Sequence, residues 1–355
     1  MGFKSGSHEE NDGMLTIVVA LIISLIVVIL FMPGTIRMLK EKGITGIDVH
    51  KPDKPAVPKG GGFIVLFAIV FALLVVMGMI SFQEGEINPG LLAALVSILM
   101  AGMIGLLDDN FDFRNRTKVV LPLIASIPMI VMQVGTTTMQ VPIIGTLDLG
   151  IIYPLIVVPL MMTFIIDSTN MYGGMNGLES ALAAINASAI VVYVILRPIT
   201  TGVEMATKQI DAGVVAAALL GACLAFLIFN KYPAKILPGD VGRLPIGATI
   251  ATALILGNMD RIAFVLYAPF MVNFLLYLVY RLQVKRTSNG WVKFASPRED
   301  GTLEVVGPYT MYWILPSISS KITEKRNVIL LSLVQAFIAY AAIWVFLFGW
   351  PIQFM

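Results

Sequence analysis

The sequence contains little charge, one cysteine and two histidines in 355 residues. Asp, Glu, Lys and Arg together make up 13% of the chain, while 57% of the residues are hydrophobic. Soluble globular proteins carry about a quarter charged residues. This balance excludes a soluble enzyme, a disordered chain and a collagen-like fibre. The single cysteine, Cys223, excludes an intramolecular disulfide.

The hydrophobic residues are concentrated in ten long runs without charge, the length of chain that a transmembrane helix needs. Because the runs are apolar throughout and do not alternate, they favour helices over a β-barrel. The fourth run is expected to hold a span that ends near residue 134, followed by an external loop with a short hairpin. We therefore predict an all-α polytopic membrane protein with about ten transmembrane helices. The runs cover residues 13–36, 60–83, 87–107, 119–147, 149–166, 180–196, 212–230, 244–259, 262–280 and 327–355.

The basic residues fall unequally on the two sides of these predicted spans. Of the 24 Lys and Arg residues, 20 lie in alternate loops. By the positive-inside rule those loops are cytoplasmic, and both termini are extracytoplasmic. We expect a single integral-membrane domain over residues 1–355, with an external tail at 1–13 and a long cytoplasmic loop at 281–326. The acidic tail lacks the basic segment of a cleaved signal peptide.

Polar clusters occur at the predicted cytoplasmic helix ends, and the first of them is acidic. Asp108, Asp109 and Asp112 lie close together and are followed by Lys118. Adjacent carboxylates repel each other unless a cation or a proton is shared between them, so the cluster suits a divalent metal. Capping of the following helix explains the same residues equally well.

The second cluster, residues 167–179, lies between two apolar runs and contains no Lys or Arg. It includes Asn170, Gly174, Asn176 and Glu179. Amides and carboxylates supply oxygen ligands, and glycine lets the backbone approach a ligand closely. A re-entrant turn with interhelical hydrogen bonds is the alternative. Polar groups are costly in a membrane-embedded loop, which favours a functional role.

Two further clusters lie on the same predicted face. Residues 237–240 read Leu-Pro-Gly-Asp, which is first of all a turn signal. Residues 50–62 contain Lys51, Lys54 and Lys59 and end in three glycines. Glycines beside lysines at a helix start suit phosphate binding, and a flexible basic loop attracted to anionic lipid is the alternative. Together the four clusters supply oxygen ligands for Mg²⁺ and cations for phosphates, which indicates phosphoryl transfer with a lipid substrate.

At these same residues the sequence resembles the polyprenyl-phosphate sugar-1-phosphate transferases. The resemblance rests on Asp108-Asp109 with Lys118, on the string from Asn170 to Glu179, and on the Pro-Gly-Asp240 turn. The Asn-Gly-Leu-Glu motif at residues 176–179 resembles that of the eukaryotic and archaeal branch, the UDP-N-acetylglucosamine:dolichyl-phosphate N-acetylglucosamine-phosphotransferases. That family has ten helices with both termini outside, in agreement with the charge distribution.

The resemblance implies that a polyprenyl or dolichyl phosphate attacks the β-phosphate of a UDP-sugar and releases UMP, the first membrane step of lipid-linked oligosaccharide synthesis for N-glycosylation. It also implies Mg²⁺, for which Mn²⁺ could substitute, an active site on the cytoplasmic face of a cell membrane, and no nucleic-acid partner. A homodimer is compatible with the family, and the compact loops favour an archaeal source. By position, the implied roles are metal binding for Asn170 and Asp240; catalysis for Asp108, Asp109, Lys118 and Asp240; and substrate binding for Gly174, Asn176, Leu237 and Arg298. In these roles Lys118 and Arg298 hold the pyrophosphate, and Asn176, with the backbone near Gly174, reads the uracil. Lys54, in the basic loop, is a further candidate for substrate binding.

Two questions stay open at the level of sequence. A phosphate monoester is mostly dianionic at pH 7, because its second pKa is near 6, so we favour Asp108 and Asp109 as positioning groups, with base catalysis second. The string Ser296-Pro297-Arg298-Glu299-Asp300 is acidic where animal and fungal members carry basic sugar contacts. N-acetylglucosamine leads as the sugar, and another UDP-hexose is the alternative.

A lipid-linked sugar transporter is less well supported, because the predicted spans carry no charge.

Overall fold

The computed structural model describes residues 6–141, 145–201, 206–287 and 290–349. A π-helical turn at Tyr153–Val157 leads directly into α6. The helices and strands, in chain order, are α1 (Gly6–Glu41), β1 (Thr45–Ile47), β2 (Ala56–Pro58), α2 (Gly62–Glu84), α3 (Pro89–Phe111), α4 (Asn115–Ala125), α5 (Ile127–Val131), β3 (Thr138–Val141), β4 (Gly145–Asp148), α6 (Val158–Met171), α7 (Leu178–Thr201), α8 (Thr207–Asn230), α9 (Asp240–Leu256), α10 (Asp260–Leu266), α11 (Ala268–Thr287), β5 (Ser296–Pro297), β6 (Leu303–Glu304), α12 (Met311–Ile318) and α13 (Glu324–Phe348).

The described residues form seven helices that are long and apolar enough to cross a membrane. An eighth span results if α10 and α11, which meet at a bend of 52°, are taken together. The prediction of a polytopic, mainly helical membrane protein is confirmed at this level. The two remaining apolar runs form α9, of 17 residues, and the pair α4 and α5, which is interrupted before Pro128. The count of ten crossings and the side of each terminus stay predictions.

Short hairpins connect some of these helices. Strands β3 and β4 pair antiparallel, which confirms the hairpin expected after the fourth run, although its turn at residues 142–144 lies outside the described residues. Strands β1 and β2 form a second hairpin, and β5 pairs with β6. Helix α1 begins at Gly6, inside the segment predicted as an external tail.

Helix α8 lies at the centre of the bundle and packs against α1, α7 and α9, while α9 also packs against α3 and α6. Small residues allow the backbones to approach each other closely: Gly221 of α8 lies against the carbonyl of Leu21, and Gly247 of α9 lies against the backbone of Ile166. The outer faces of α1 and α13 expose large apolar side chains such as Leu30 and Phe337. An apolar outer surface suits contact with lipid.

Candidate active site

A cavity of about 1310 Å³ is lined by residues from each of the predicted polar clusters. Asp108 and Asp109 do not line it among the described residues, but they contact Lys118 and Lys59, which do. One wall is ionic and the other, formed by α11 and the segment after it, is rich in aromatic rings such as Tyr277, Tyr280 and Trp291. The second wall also carries Arg281, Lys285 and Lys293, so it combines aromatic and basic side chains. The lining residues from the predicted clusters are Lys59, Lys118, Asn170, Met171, Gly173, Gly174, Asn176, Leu237 and Asp240, and Arg243 lines the cavity beside them.

Helices α3 and α9 bring the acidic residues together. Gly105 of α3 lies so close to the carbonyl of Asp240 that a Cβ at this position would collide with it. One turn further along α3, Oδ2 of Asp109 accepts a hydrogen bond of 2.9 Å from the backbone N–H of Val241. This carboxylate lies at the N-terminus of α9, where backbone N–H groups and the helix dipole favour negative charge.

Lys118 links the first aspartate of the pair to Asp240. Its Nζ lies 2.8 Å from Oδ2 of Asp108, 3.6 Å from Asp112 and 3.9 Å from Asp240. Partial burial disfavours the ammonium ion, but the hydrogen bond and charge of Asp108, with the charge of Asp240, outweigh it and raise the pKa of Lys118 above its usual value. Lys118 is therefore a permanent cation at the cavity wall at neutral pH.

Asp108 and Asp109 are each held by one cation and one backbone N–H. Oδ1 of Asp108 accepts a 2.9 Å hydrogen bond from the N–H of Phe113, and the Nζ of Lys59 lies 2.9 Å from Oδ1 of Asp109. A carboxylate that is held by donors in this way orients the cation that it contacts. The geometry thus suits positioning groups.

The three glycines after Lys59 do not form the phosphate cradle that the sequence suggests. The N–H groups of Gly60 and Gly61 donate to the carbonyl of Leu237, and the N–H of Gly62 donates to Pro238. A Cβ on Gly62 would collide with the backbone of Gly242. Because these N–H groups already donate to the loop before α9, they hold the two loops together and are not free to bind a phosphate. The expectation that the glycines bind phosphate through their backbone is wrong.

The loop between α6 and α7 is held by Glu179, which the sequence did not single out for this role. Its Oε1 accepts the N–H of Gly174 at 2.8 Å and lies 2.9 Å from Nη2 of Arg243. Gly174 has a φ of 121°, which other residues rarely adopt. The carboxylate thus connects the glycine turn to a partly buried arginine in the cavity wall.

The donor atoms of Asn170 and Asp240 fit a hard divalent cation. Both residues line the cavity. The oxygens of Asp240 lie 3.9 Å from Lys118 and 3.8 Å from Arg243, and both distances exceed a direct hydrogen bond. A carboxylate and an amide oxygen are ligand types that Mg²⁺ accepts, together with water and substrate phosphates.

A second group of acidic residues and one histidine lies beside the cavity. Asp48, His50 and Glu324 are buried with their ligand atoms close together, a donor set of the kind that binds metals. The ammonium of Lys51, however, lies 2.9 Å from Asp48 and 2.5 Å from Glu324. Lys51 therefore supplies the positive charge in this group. Burial, reinforced by Lys51 and opposed by Asp48, lowers the pKa of His50 to about 4.

Two predicted substrate-binding residues lie away from the cavity. Arg298 has its Nε 3.4 Å from Glu304 and lines a separate hollow with Val305 and Pro308. Lys54 is exposed, with a φ of 43°, and is not among the described residues that line the cavity. Their proposed contacts stay predictions. Leu237 does line the cavity, and its backbone is held by Pro58 and by the glycine loop.

Known proteins resemble this chain over most of its length. Residues 91–258 match the family described as Glycosyl transferase family 4. A protein of Saccharolobus solfataricus, provisionally named UDP-N-acetylglucosamine–dolichyl-phosphate N-acetylglucosaminephosphotransferase, is 34% identical over 282 residues, 79% of this chain and 82% of its own length. The Dictyostelium discoideum protein of that name is 24% identical over 85% of this chain and 81% of its own length. The phospho-N-acetylmuramoyl-pentapeptide-transferase of Bacillus pumilus is 27% identical over 78% and 85%, respectively.

Proposed function

The chain belongs to glycosyl transferase family 4, and from this membership we propose that it transfers N-acetylglucosamine 1-phosphate from UDP-N-acetylglucosamine to dolichyl or another polyprenyl phosphate. The Saccharolobus and Dictyostelium relatives are named for transfer of N-acetylglucosamine phosphate to dolichyl phosphate, and the Bacillus relative is named for transfer of a phospho-N-acetylmuramoyl-pentapeptide. The relatives from Saccharolobus and Dictyostelium support the N-acetylglucosamine donor. In this proposal the product is the first lipid-linked intermediate of N-glycosylation.

One observation carries the proposal: cations, hard oxygen donors and an aromatic wall share one cavity at the end of an apolar helix bundle. Lys59, Lys118 and Arg243 supply positive charge for phosphates, while Asn170 and Asp240 supply oxygens. The wall from α11 and the segment after it combines aromatic rings with Arg281, Lys285 and Lys293, which suits a lipid that carries a phosphate. A phosphate-bearing lipid and a nucleotide sugar require this combination.

In the proposed reaction an oxygen of the lipid phosphate attacks the β-phosphorus of the UDP-sugar. The bond from that phosphorus to the oxygen bridging the two phosphates breaks, and UMP leaves with the electron pair. Because the lipid phosphate is mostly dianionic at pH 7, the attack needs little help from a base. Lys118, oriented by Asp108, offsets the repulsion between the anionic reactants, and Lys59, oriented by Asp109, does the same from the other side.

Mg²⁺ would be held by Asn170 and Asp240, with Mn²⁺ as a substitute. When bound, it would neutralise the diphosphate of the donor. Lys59 and Lys118 each keep a carboxylate partner of their own, Asp109 and Asp108, apart from the proposed metal ligands.

The protein would have a defined orientation in the membrane and would pair with a second copy of itself. Ten crossings would place both termini outside and the cavity on the cytoplasmic side of the cell membrane, where UDP-sugars are found. The 20 Lys and Arg residues of the alternate loops support this orientation. A second copy of the chain is the expected protein partner.

The decisive experiment uses purified protein in nanodiscs with Mg²⁺, dolichyl phosphate and UDP-N-acetylglucosamine labelled in the sugar. We expect UMP and a labelled lipid in equal amounts, and no lipid product from Asp240→Ala. Lys42→Met, which alters an exposed loop lysine, is the matched control. Faster transfer from another UDP-hexose would change only the assignment of the donor sugar and leave the transferase reaction in place. No lipid product with any UDP-sugar would refute the transferase assignment.

A further inference from the structure

Asp240 lies between two cations, and each oxygen of its carboxylate faces one of them. Oδ1 lies 3.8 Å from Nη1 of Arg243, and Oδ2 lies 3.9 Å from Nζ of Lys118. Both distances are in the range of an ion pair but too long for a direct hydrogen bond. Neither cation is therefore bonded directly to the carboxylate, yet both place positive charge beside it.

Arg243 is placed beside Asp240 by the helix that carries both residues. They lie three positions apart in the first turn of α9, so their side chains project from the same side of the helix. The Nη2 of Arg243 lies 2.9 Å from Oε1 of Glu179, while its Nη1 faces Asp240. The guanidinium therefore lies between two carboxylates.

Glu179 holds Arg243 in this position. Its side chain is only 2% exposed, and the same Oε1 accepts the N–H of Gly174, so two donors orient the carboxylate. The side chain of Arg243, by contrast, is 25% exposed and lines the cavity, and its Nε has no hydrogen-bond partner among the described residues. The guanidinium is thus not saturated within the described part of the protein.

A divalent cation and a diphosphate respond to this guanidinium in opposite ways. A cation that binds Asp240 meets the positive charge of Arg243 before the negative charge of Glu179, because the guanidinium separates the two carboxylates. It is therefore repelled, while a diphosphate is attracted and offsets the charge of the arginine. The balance changes when both ligands are present.

We propose that Arg243 makes tight binding of the metal depend on the diphosphate of the donor. In the site without nucleotide, the guanidinium weakens the binding of a divalent cation to Asp240. A bound diphosphate offsets the charge of Arg243 and supplies further oxygens, so the cation and the diphosphate strengthen each other's binding. Glu179 is the positioning residue, because it holds the arginine and partly balances its charge. This inference rests on the proposed function, because it takes Asp240 to bind the metal and the donor to be a nucleotide diphosphate.

The same coupling would loosen the metal once the donor has reacted. UMP carries one phosphate where the donor carries two, so it offsets less of the charge of Arg243. We therefore expect UDP to strengthen the binding of a divalent cation more than UMP does. A weaker hold on the metal would in turn favour release of UMP.

The test measures the binding of Mn²⁺ and UDP to the full-length protein, separately and together. Electron paramagnetic resonance follows free Mn²⁺, with the metal that UDP binds in solution subtracted, and calorimetric titration in EDTA follows UDP alone. We expect the wild type to bind Mn²⁺ at least about tenfold more tightly with UDP than without it, and UMP to give a smaller gain. By linkage, Mn²⁺ should strengthen the binding of UDP by the same factor.

Two variants change the charge at the arginine in opposite directions. Arg243→Gln should bind Mn²⁺ alone at least about fivefold more tightly, and UDP alone at least about fivefold more weakly, than the wild type. Glu179→Gln can still accept the N–H of Gly174, but it leaves the arginine unbalanced and should bind Mn²⁺ alone more weakly. Lys42→Met should match the wild type in both titrations. Thermal unfolding of each variant verifies the fold.

The outcomes separate this inference from the proposed function. A wild type that forms no lipid product and binds neither UDP nor Mn²⁺ would refute both. Lipid product formation with equal Mn²⁺ affinity in the presence and absence of UDP would overturn the coupling alone. A folded Arg243→Gln protein that loses both affinities, or neither, would show that the arginine only holds α7 and α9 together. If that variant does not fold, Glu179→Gln decides, and unchanged or tighter binding of Mn²⁺ alone would overturn the inference.

Discussion

The ammonium of Lys59 lies 2.9 Å from Oδ1 of Asp109, and the other oxygen of this carboxylate accepts the N–H of Val241. Asp109 thus joins the loop before α2 to the first turn of α9 while it remains on α3. Asp108 has an analogous pair of partners in Lys118 and the N–H of Phe113. The two aspartates therefore orient two different cations.

Replacing Lys59 with Met should lower kcat by roughly tenfold, since a hydrogen bond to a charged group is worth about 1.5–3 kcal/mol and the partial exposure of Lys59 reduces this value. Lys59→Arg should retain most of the activity, because it keeps the charge. Steady-state kinetics in nanodiscs would measure both, with Lys42→Met as the control. An unchanged kcat in Lys59→Met would show that this cation is dispensable.

Asp108→Asn should leave measurable activity if the aspartate positions Lys118. The asparagine oxygen can still accept the N–H of Phe113, and the dianionic lipid phosphate needs no base at pH 7. We expect a lower kcat with the same dependence on pH as in the wild type. A complete loss that higher pH cannot restore would favour base catalysis by Asp108.

Asp240→Ala should abolish lipid product formation and also the binding of a divalent cation. In the wild type, Mn²⁺ added with UDP should give an altered electron paramagnetic resonance spectrum, and Asp240→Ala should not. EDTA should stop the reaction, and added Mg²⁺ should restore it. Full wild-type activity in EDTA would exclude the metal assignment.

His50 should make the folded protein less stable in acid. Burial lowers its pKa from the usual value of 6.5 to about 4, so between these pH values the unfolded chain binds a proton that the folded chain does not. The contribution is complete above pH 6.5 and declines as the pH falls toward 4, by about 2 kcal/mol at pH 5. Asp48, Lys51 and Glu324 are the charged groups beside it among the described residues.

Thermal unfolding in detergent between pH 7 and pH 5 would measure this effect. The melting temperature of the wild type should fall more steeply than that of His50→Gln, which cannot gain the proton. Parallel slopes for the two proteins would contradict the prediction. Activity need not follow the same curve, because His50 is not among the described residues that line the cavity.

The sequence predicted the parts of the site that follow from local motifs. Scarce charge predicted the helical membrane fold, and the placement of Lys118, Asp240 and Asn176 in conspicuous polar clusters predicted that they would lie together. The structure places all three in one cavity wall. Such clusters can be recognised from the sequence because charged residues make up only 13% of the chain.

Other parts depend on contacts that no local pattern contains. Lys51 and Glu324 are 273 positions apart, and nothing near either residue indicates that they form a buried ion pair. The glycines at 60–62 look like a phosphate loop because the sequence does not reveal that Leu237 and Pro238 accept their N–H groups. Pro128 is visible in the sequence, yet how far the interrupted pair α4 and α5 extends depends on its neighbours.

The contact between Gly62 and Gly242 constrains how this protein can evolve. Each glycine occupies the space that a side chain on the other would need, so neither can be replaced alone without separating α2 from α9. The segments that carry Lys59 and Asp240 therefore constrain each other's sequence at this contact. Among descendants of this sequence, changes in donor or metal preference should arise at positions around these glycines, while the two glycines remain fixed.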